Sequence, residues 1–143
     1  RRKIVRKELA KAFDRLDPEK TGGSQAVDLL ALPSTVRKYR KRNDLKPKVI
    51  IIGSPLVTDR EKGNSVTKET IPCDGCVTDK NSSYGKMASF PKGTTVSWLT
   101  PRADYGNGPN HRLQVEHFLR YLLYKKGGPL VRLSSEANVV FNS

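Results

Sequence analysis

Long apolar runs, cysteine and negative charge are all scarce in this sequence of 143 residues. No apolar run approaches 18 residues, so the sequence predicts no transmembrane helix. The 2 cysteines are too few for a disulfide framework. Together with the lack of a signal-peptide pattern, they favour an intracellular location in cytoplasm, nucleus or virion. Acidic residues number 14 against 27 Lys and Arg, which leaves a net charge of +13.

Positive charge is abundant instead, and most of it lies in the first third of the chain. Residues 1–48 hold 15 basic and 6 acidic side chains, whereas residues 49–110 hold 7 and 6. Such a concentration of positive charge attracts nucleic acid first, and anionic membranes or acidic proteins second. We therefore expect a basic helical arm or subdomain over residues 1–48 and an α+β core over residues 49–143.

The stretch from Ser34 to Lys48 is the most densely charged. Ser34 or Thr35 can cap a short helix that carries Val36 to Arg42. Arg and Lys displace condensed counterions from a phosphate backbone, and an aromatic side chain among them can stack on a base. The expected nucleic-acid-binding residues are Arg37, Lys38, Tyr39, Arg40, Lys41, Arg42, Lys46 and Lys48, joined by Arg1, Arg2 and Lys3. A solvated basic linker is the alternative interpretation.

Residues 17–28 resemble an EF-hand calcium loop. Asp17, Glu19 and Thr21 occupy its first, third and fifth positions, and Gly22 falls where that loop turns sharply. The resemblance implies a calcium site, although Asp28 stands where the family has a bidentate Glu. A plain helix–Gly–Gly–helix turn is the alternative interpretation.

Cys73 and Cys76 form a C-x-x-C pair, which places two thiolates on one turn as a tetrahedral zinc site requires. The other zinc ligands would be His111 and His117, the 2 histidines of the chain. Six positions correspond to about 240° around a helix, so these two share a direction only if His111 precedes the helix. A redox pair, which needs a strand-to-helix context, or two inert thiols are the other interpretations.

The apolar pattern predicts an α+β fold, in which the basic helical part precedes a small antiparallel sheet packed with one long helix. Periodicity predicts helices over residues 3–16 and 111–126, the second with Leu113 in its apolar face. It also predicts a fully buried strand over residues 49–52 and a strand of alternating burial over residues 94–99. The last segment, residues 129–141, is typical of a hairpin. Strands and helices do not alternate regularly, which argues against a doubly wound sheet.

The functional expectation is a non-enzymatic protein that binds nucleic acid, RNA rather than DNA. The Gly-Ser after the first strand lacks the Gly-Lys-Ser/Thr of a nucleotide loop, and no other enzyme signature is evident. The size and charge suit a virus-encoded coat-like protein or a ribonucleoprotein component, and such proteins can form homo-oligomers. The alternatives are a protein–protein interaction module stabilised by zinc or calcium, and a hydrolase that uses carboxylates such as Asp14, Asp17 and Glu19.

Overall fold

The computed structural model describes residues 28–56, 66 and 71–142. The strands are β1 (Lys48–Ile52), β2 (Thr95–Leu99) and β3 (Leu130–Ser134), and the helices are α1 (Leu32–Tyr39), α2 (Gly75–Thr78), α3 (Ser83–Lys86), α4 (Gly108–Lys125) and α5 (Ala137–Phe141). None of these helices is long and apolar enough to cross a membrane. The predicted helix over 3–16, Arg1, Arg2, Lys3 and all of the calcium loop except Asp28 lie outside the described residues.

The sheet is parallel, so the predicted antiparallel arrangement is wrong. β2 lies between β1 and β3 and pairs with both in the parallel direction. Parallel neighbours need a crossover connection, and α4 lies in the connection between β2 and β3. Of the hairpin predicted at the carboxyl end, the first strand is confirmed as β3, but the second is wrong, because the residues after β3 form helix α5.

Position in the sheet decides how far each strand is buried. In the central strand β2, the last four residues, Val96 to Leu99, are all buried, as expected where both faces of a parallel sheet are covered. In the edge strand β1, Ile51 alone is buried and Ile50 is exposed. Both predicted strands are confirmed, but the full burial predicted for β1 and the alternating burial predicted for β2 are wrong.

Helix α4 packs a continuous apolar face into the core. The face recurs at three- and four-residue steps and consists of Val115, Phe118, Leu119, Leu122 and Leu123. Gly127 follows the helix at φ +78°, a left-handed conformation that glycine adopts without strain. The long helix predicted over 111–126 is confirmed with an earlier start, but Leu113, expected in its apolar face, is 65% exposed.

Helix α1 attaches the basic segment to this core. Leu32 and Val36 pack against the core cluster, and Leu29 in the turn before the helix is fully buried. The Arg37 side chain also donates a hydrogen bond to the Ser89 carbonyl, with 2.9 Å between Nη2 and O. The described part of the basic segment is therefore held in a defined position on the core.

Candidate nucleic-acid interface and cysteine pair

Helix α1 ends at Tyr39, so the helix predicted to run on to Arg42 is too long. Arg40 caps the helix with extended backbone, at ψ 113°. Lys41 and Arg42 follow in irregular structure, and a turn then leads into β1. The basic side chains are therefore distributed over a helix end and a loop, and not around a single helix.

Several of these exposed side chains hold one another in place. Arg40 donates to the Asn43 side chain, and Arg42 makes two hydrogen bonds of 3.0 and 2.6 Å to the Asp44 carboxylate. The side chains of Arg42 and Asp44 are 70% and 61% exposed, so their ion pair contributes about 0–1 kcal/mol. An incoming phosphate can therefore displace Asp44 at little cost.

Tyr39 is the exposed aromatic residue of the segment. Its side chain is 71% exposed, and Lys38 Nζ lies 5.6 Å from the centre of its ring. The ring can stack on a nucleic-acid base, and the neighbouring Lys38 can contact a phosphate.

The segments that precede the three strands meet at one end of the sheet, because the strands run in the same direction. The Thr95 amide donates to the Pro47 carbonyl, and the Val96 amide donates to the Pro129 carbonyl, both at 3.0 Å. Each segment carries a lysine shortly before its strand, namely Lys46, Lys92 and Lys126. The parallel topology thus gathers cations that are far apart in the sequence.

Further contacts fix this end of the sheet. The Lys46 side chain lies over Gly93, where a Cβ atom would come within 2.8 Å of Lys46 Cγ. The Phe90 amide donates to the Lys126 carbonyl at 2.8 Å. Lys126 Nζ donates to the Gly85 carbonyl at 3.0 Å, and burial lowers the pKa of this lysine.

We define the basic surface as the cations of residues 37–48 together with the exposed Lys92, whose neighbour Gly93 lies under the Lys46 side chain. Sequence reasoning missed Lys92, because it lies outside the dense basic stretch. A usable signal was present, since a lysine comes just before each of the three strands. Those lysines come to one end of the sheet only if the strands are parallel. The antiparallel prediction therefore did not bring them together.

The predicted zinc ligands are divided between two places. Cys73 and Cys76 face each other, and His117 Nε2 lies 3.4 Å from the Asp74 carboxylate. His111 lies in the first turn of α4, where its Nδ1 accepts a hydrogen bond of 3.2 Å from the Asn107 amide. Among the described residues, no group of three or more His, Cys, Asp or Glu side chains is arranged to hold a metal ion.

Asp28 is the one position of the calcium-like loop that the structure describes. Its carboxylate accepts a hydrogen bond of 3.1 Å from the Ala31 amide. This contact closes the turn that leads into α1, a common local role for an aspartate side chain.

A groove of about 360 Å³ opens beside the cysteine pair. Ile71, Pro72 and Cys73 line one side, and Leu113 and His117 of α4 line the other. The groove thus combines an apolar lining with a thiol and an imidazole, and Cys73 is accessible from it.

No family model, curated protein or solved structure matches this chain. Its function therefore has to be inferred from its own side chains. The basic surface and the cysteine pair are the two features of the described residues that bear on chemistry.

Proposed function

We propose that the basic surface binds nucleic acid through its phosphates, RNA rather than DNA, and that this binding role is non-enzymatic. The observation that carries the proposal is the convergence of cations from separate segments at the amino end of the sheet. Backbone hydrogen bonds such as Thr95 to Pro47 and Phe90 to Lys126 hold these segments together. A surface already fixed in position loses little conformational freedom on binding, which favours affinity.

The charge balance of this surface favours a polyanion. Residues 37–48 include one acidic side chain, Asp44, and it already contacts Arg42. Lys92 then adds charge from another segment. Phosphates relieve the repulsion between these cations, and counterion release makes the binding dependent on salt.

The exposed ring of Tyr39 supports a single-stranded partner, such as single-stranded RNA, over a DNA duplex. Single-stranded RNA presents unstacked bases to aromatic side chains, whereas the bases of a DNA duplex are already stacked. Phosphate contacts carry no sequence information, so this interface would bind many sequences with similar affinity. Such a property suits a component of a ribonucleoprotein particle or a coat-like protein.

The first experiment measures binding of the full chain to a generic single-stranded RNA from low to moderate salt. If about five phosphates are neutralised, the plot of log K against log salt should have a slope of roughly −4. Replacing Arg40, Lys41 and Arg42 by Ala should weaken binding to all sequences about equally. Failure to bind, or a slope near zero, contradicts the proposal. A loss confined to one sequence would instead indicate base recognition and contradict the phosphate mechanism.

Variants that each remove one charge test whether Lys92 contributes to binding or whether the basic run of residues 37–48 acts alone. Lys92→Ala should lower affinity several-fold and reduce the slope by about 0.7. Lys80→Ala and Arg132→Ala each remove one exposed charge outside the basic surface, and both should leave binding nearly unchanged. Equal losses in all three variants would mean that net charge alone governs binding.

A further inference from the structure

The cysteine pair has a geometry suited to bond formation. Cys73 Sγ and Cys76 Sγ are in direct contact, 2.6 Å apart, whereas a disulfide bond is ~2.05 Å long. Both are free thiols, with Cys73 exposed and Cys76 partly exposed. The two sulfur atoms can therefore join with little movement, and a reagent in solvent can reach Cys73.

The backbone around the pair is anchored on several sides. The Cys76 amide donates to the Cys73 carbonyl at 2.9 Å, and the Ser82 hydroxyl donates to the Cys76 carbonyl. Val77, directly after the pair, is buried, and Asp74, between the cysteines, contacts His117 of α4. The pair can therefore open and close while its turn stays in place on the core.

The two thiols are unequal. The pKa of Cys73 is lowered, chiefly by the hydrogen bond between its sulfur and the Cys76 side chain. The same hydrogen bond raises the pKa of Cys76, and burial acts in the same direction. The thiolate is the nucleophilic form of cysteine, so the more exposed Cys73 is also the better nucleophile.

We propose that Cys73 and Cys76 form a redox-active dithiol that exchanges with low-molecular-weight disulfides, with Cys73 as the attacking thiol and Cys76 as the resolving thiol. The Cys73 thiolate attacks one sulfur of the substrate disulfide and forms a mixed disulfide, and the other sulfur leaves as a thiolate that takes up a proton. Cys76 loses its proton and attacks Cys73 Sγ, which releases the second substrate thiol. The protein loses two electrons and two protons, and the substrate disulfide gains them as it becomes two thiols.

This activity is independent of nucleic-acid binding, because the pair lies beside α2 and the α4 groove and contains no residue of the basic surface. The short helix α2 begins within the C-x-x-C motif, at Gly75, and irregular structure, not a strand, leads into it.

The test uses the full reduced chain, with oxidised glutathione as the probe and intact mass as the readout. The wild-type protein should lose two hydrogens and regain them in excess reduced glutathione. The Cys76→Ser variant should accumulate the glutathione adduct on Cys73 several-fold faster than the Cys73→Ser variant accumulates it on Cys76. The double variant, which has no sulfur at either position, gives the background.

Three outcomes would overturn the assignment. They are a wild-type chain that stays reduced, a disulfide that excess reduced glutathione does not open, and equal reaction rates in the two single variants. The wild-type measurement needs no substitution, so it stands even if a variant fails to fold. Circular dichroism under reducing conditions checks the folding of each variant.

Discussion

Two glycines in the neighbouring short helices α2 and α3 differ in the space that a Cβ atom would have. A Cβ atom on Gly85 would lie 1.7 Å from the backbone oxygen of Asp79, whereas one on Gly75 would come no closer than 3.9 Å to Cys73 Sγ. The close approach at Gly85 arises where Ser82 caps α3 and accepts a hydrogen bond from the Gly85 amide. Any side chain at Gly85 would therefore push apart the turn that supports the cysteine pair.

Gly85→Ala should lower the free energy of unfolding by about 2 kcal/mol or more, because backbone atoms must move to admit the methyl group. Gly75→Ala should be neutral or stabilising by up to about 1 kcal/mol, since alanine restricts the unfolded chain and suits a helix. Urea unfolding followed by circular dichroism measures both. Similar values for the two variants would show that the backbone around Gly85 has room for a Cβ atom.

At the scale of the elements, sequence pattern identified β1, β2 and α4 but not the direction of the strands. The information was present in the connections. Residues 53–94 and 100–129 separate successive strands, far more than the roughly 2–5 residues of a hairpin loop. Connections of that length favour crossovers and hence a parallel sheet. The β-branched Val139 and Val140 suggested a last strand, but the packing of a helix against β2 and β3 prevailed over local propensity.

The candidate site, like the fold, could be predicted only in part from local sequence patterns. Local composition was enough to predict the cations of residues 37–48, because a dense run needs no knowledge of the fold. Lys92 joins them only through strand direction, which local patterns do not determine. The groove beside Cys73 depends likewise on where α4 packs, and no short-range signal in the sequence indicates that position.

Helix α4 offers a matched pair of leucines that tests its packing. Leu119 is fully buried in the core, whereas Leu113 is 65% exposed. Leu119→Ala should cost about 2–5 kcal/mol of unfolding free energy, through lost burial and the cavity left behind. Leu113→Ala should change it by no more than about 0.5 kcal/mol. Chemical denaturation of both variants measures the difference, and a large loss at Leu113 would mean that this side chain has a partner in solution.

For the whole molecule, the net charge of +13 acts on stability as well as on binding. Like charges repel one another in a compact state, and this repulsion lowers the stability of the fold. Dissolved salt screens exposed charges that lie farther apart than about 10 Å at 0.1 M ionic strength. A bound polyanion removes the same repulsion more completely, and it stabilises the folded chain by mass action.

Salt should therefore act in opposite directions on the free and the RNA-bound protein. The Tm of the free protein should rise with NaCl, because screening reduces the self-repulsion. With RNA at about one hundred times its dissociation constant, binding should add about 2.7 kcal/mol, which corresponds to a Tm roughly 10 °C higher at low salt. That advantage should shrink as NaCl releases the RNA, until the two melting curves coincide. Thermal melts with and without RNA, across a series of NaCl concentrations, measure both trends. A Tm of the free protein that falls with salt would mean that attractive ion pairs outweigh repulsion. An increase in Tm by RNA that persists at high salt would mean that phosphate contacts are not the source of the stabilisation.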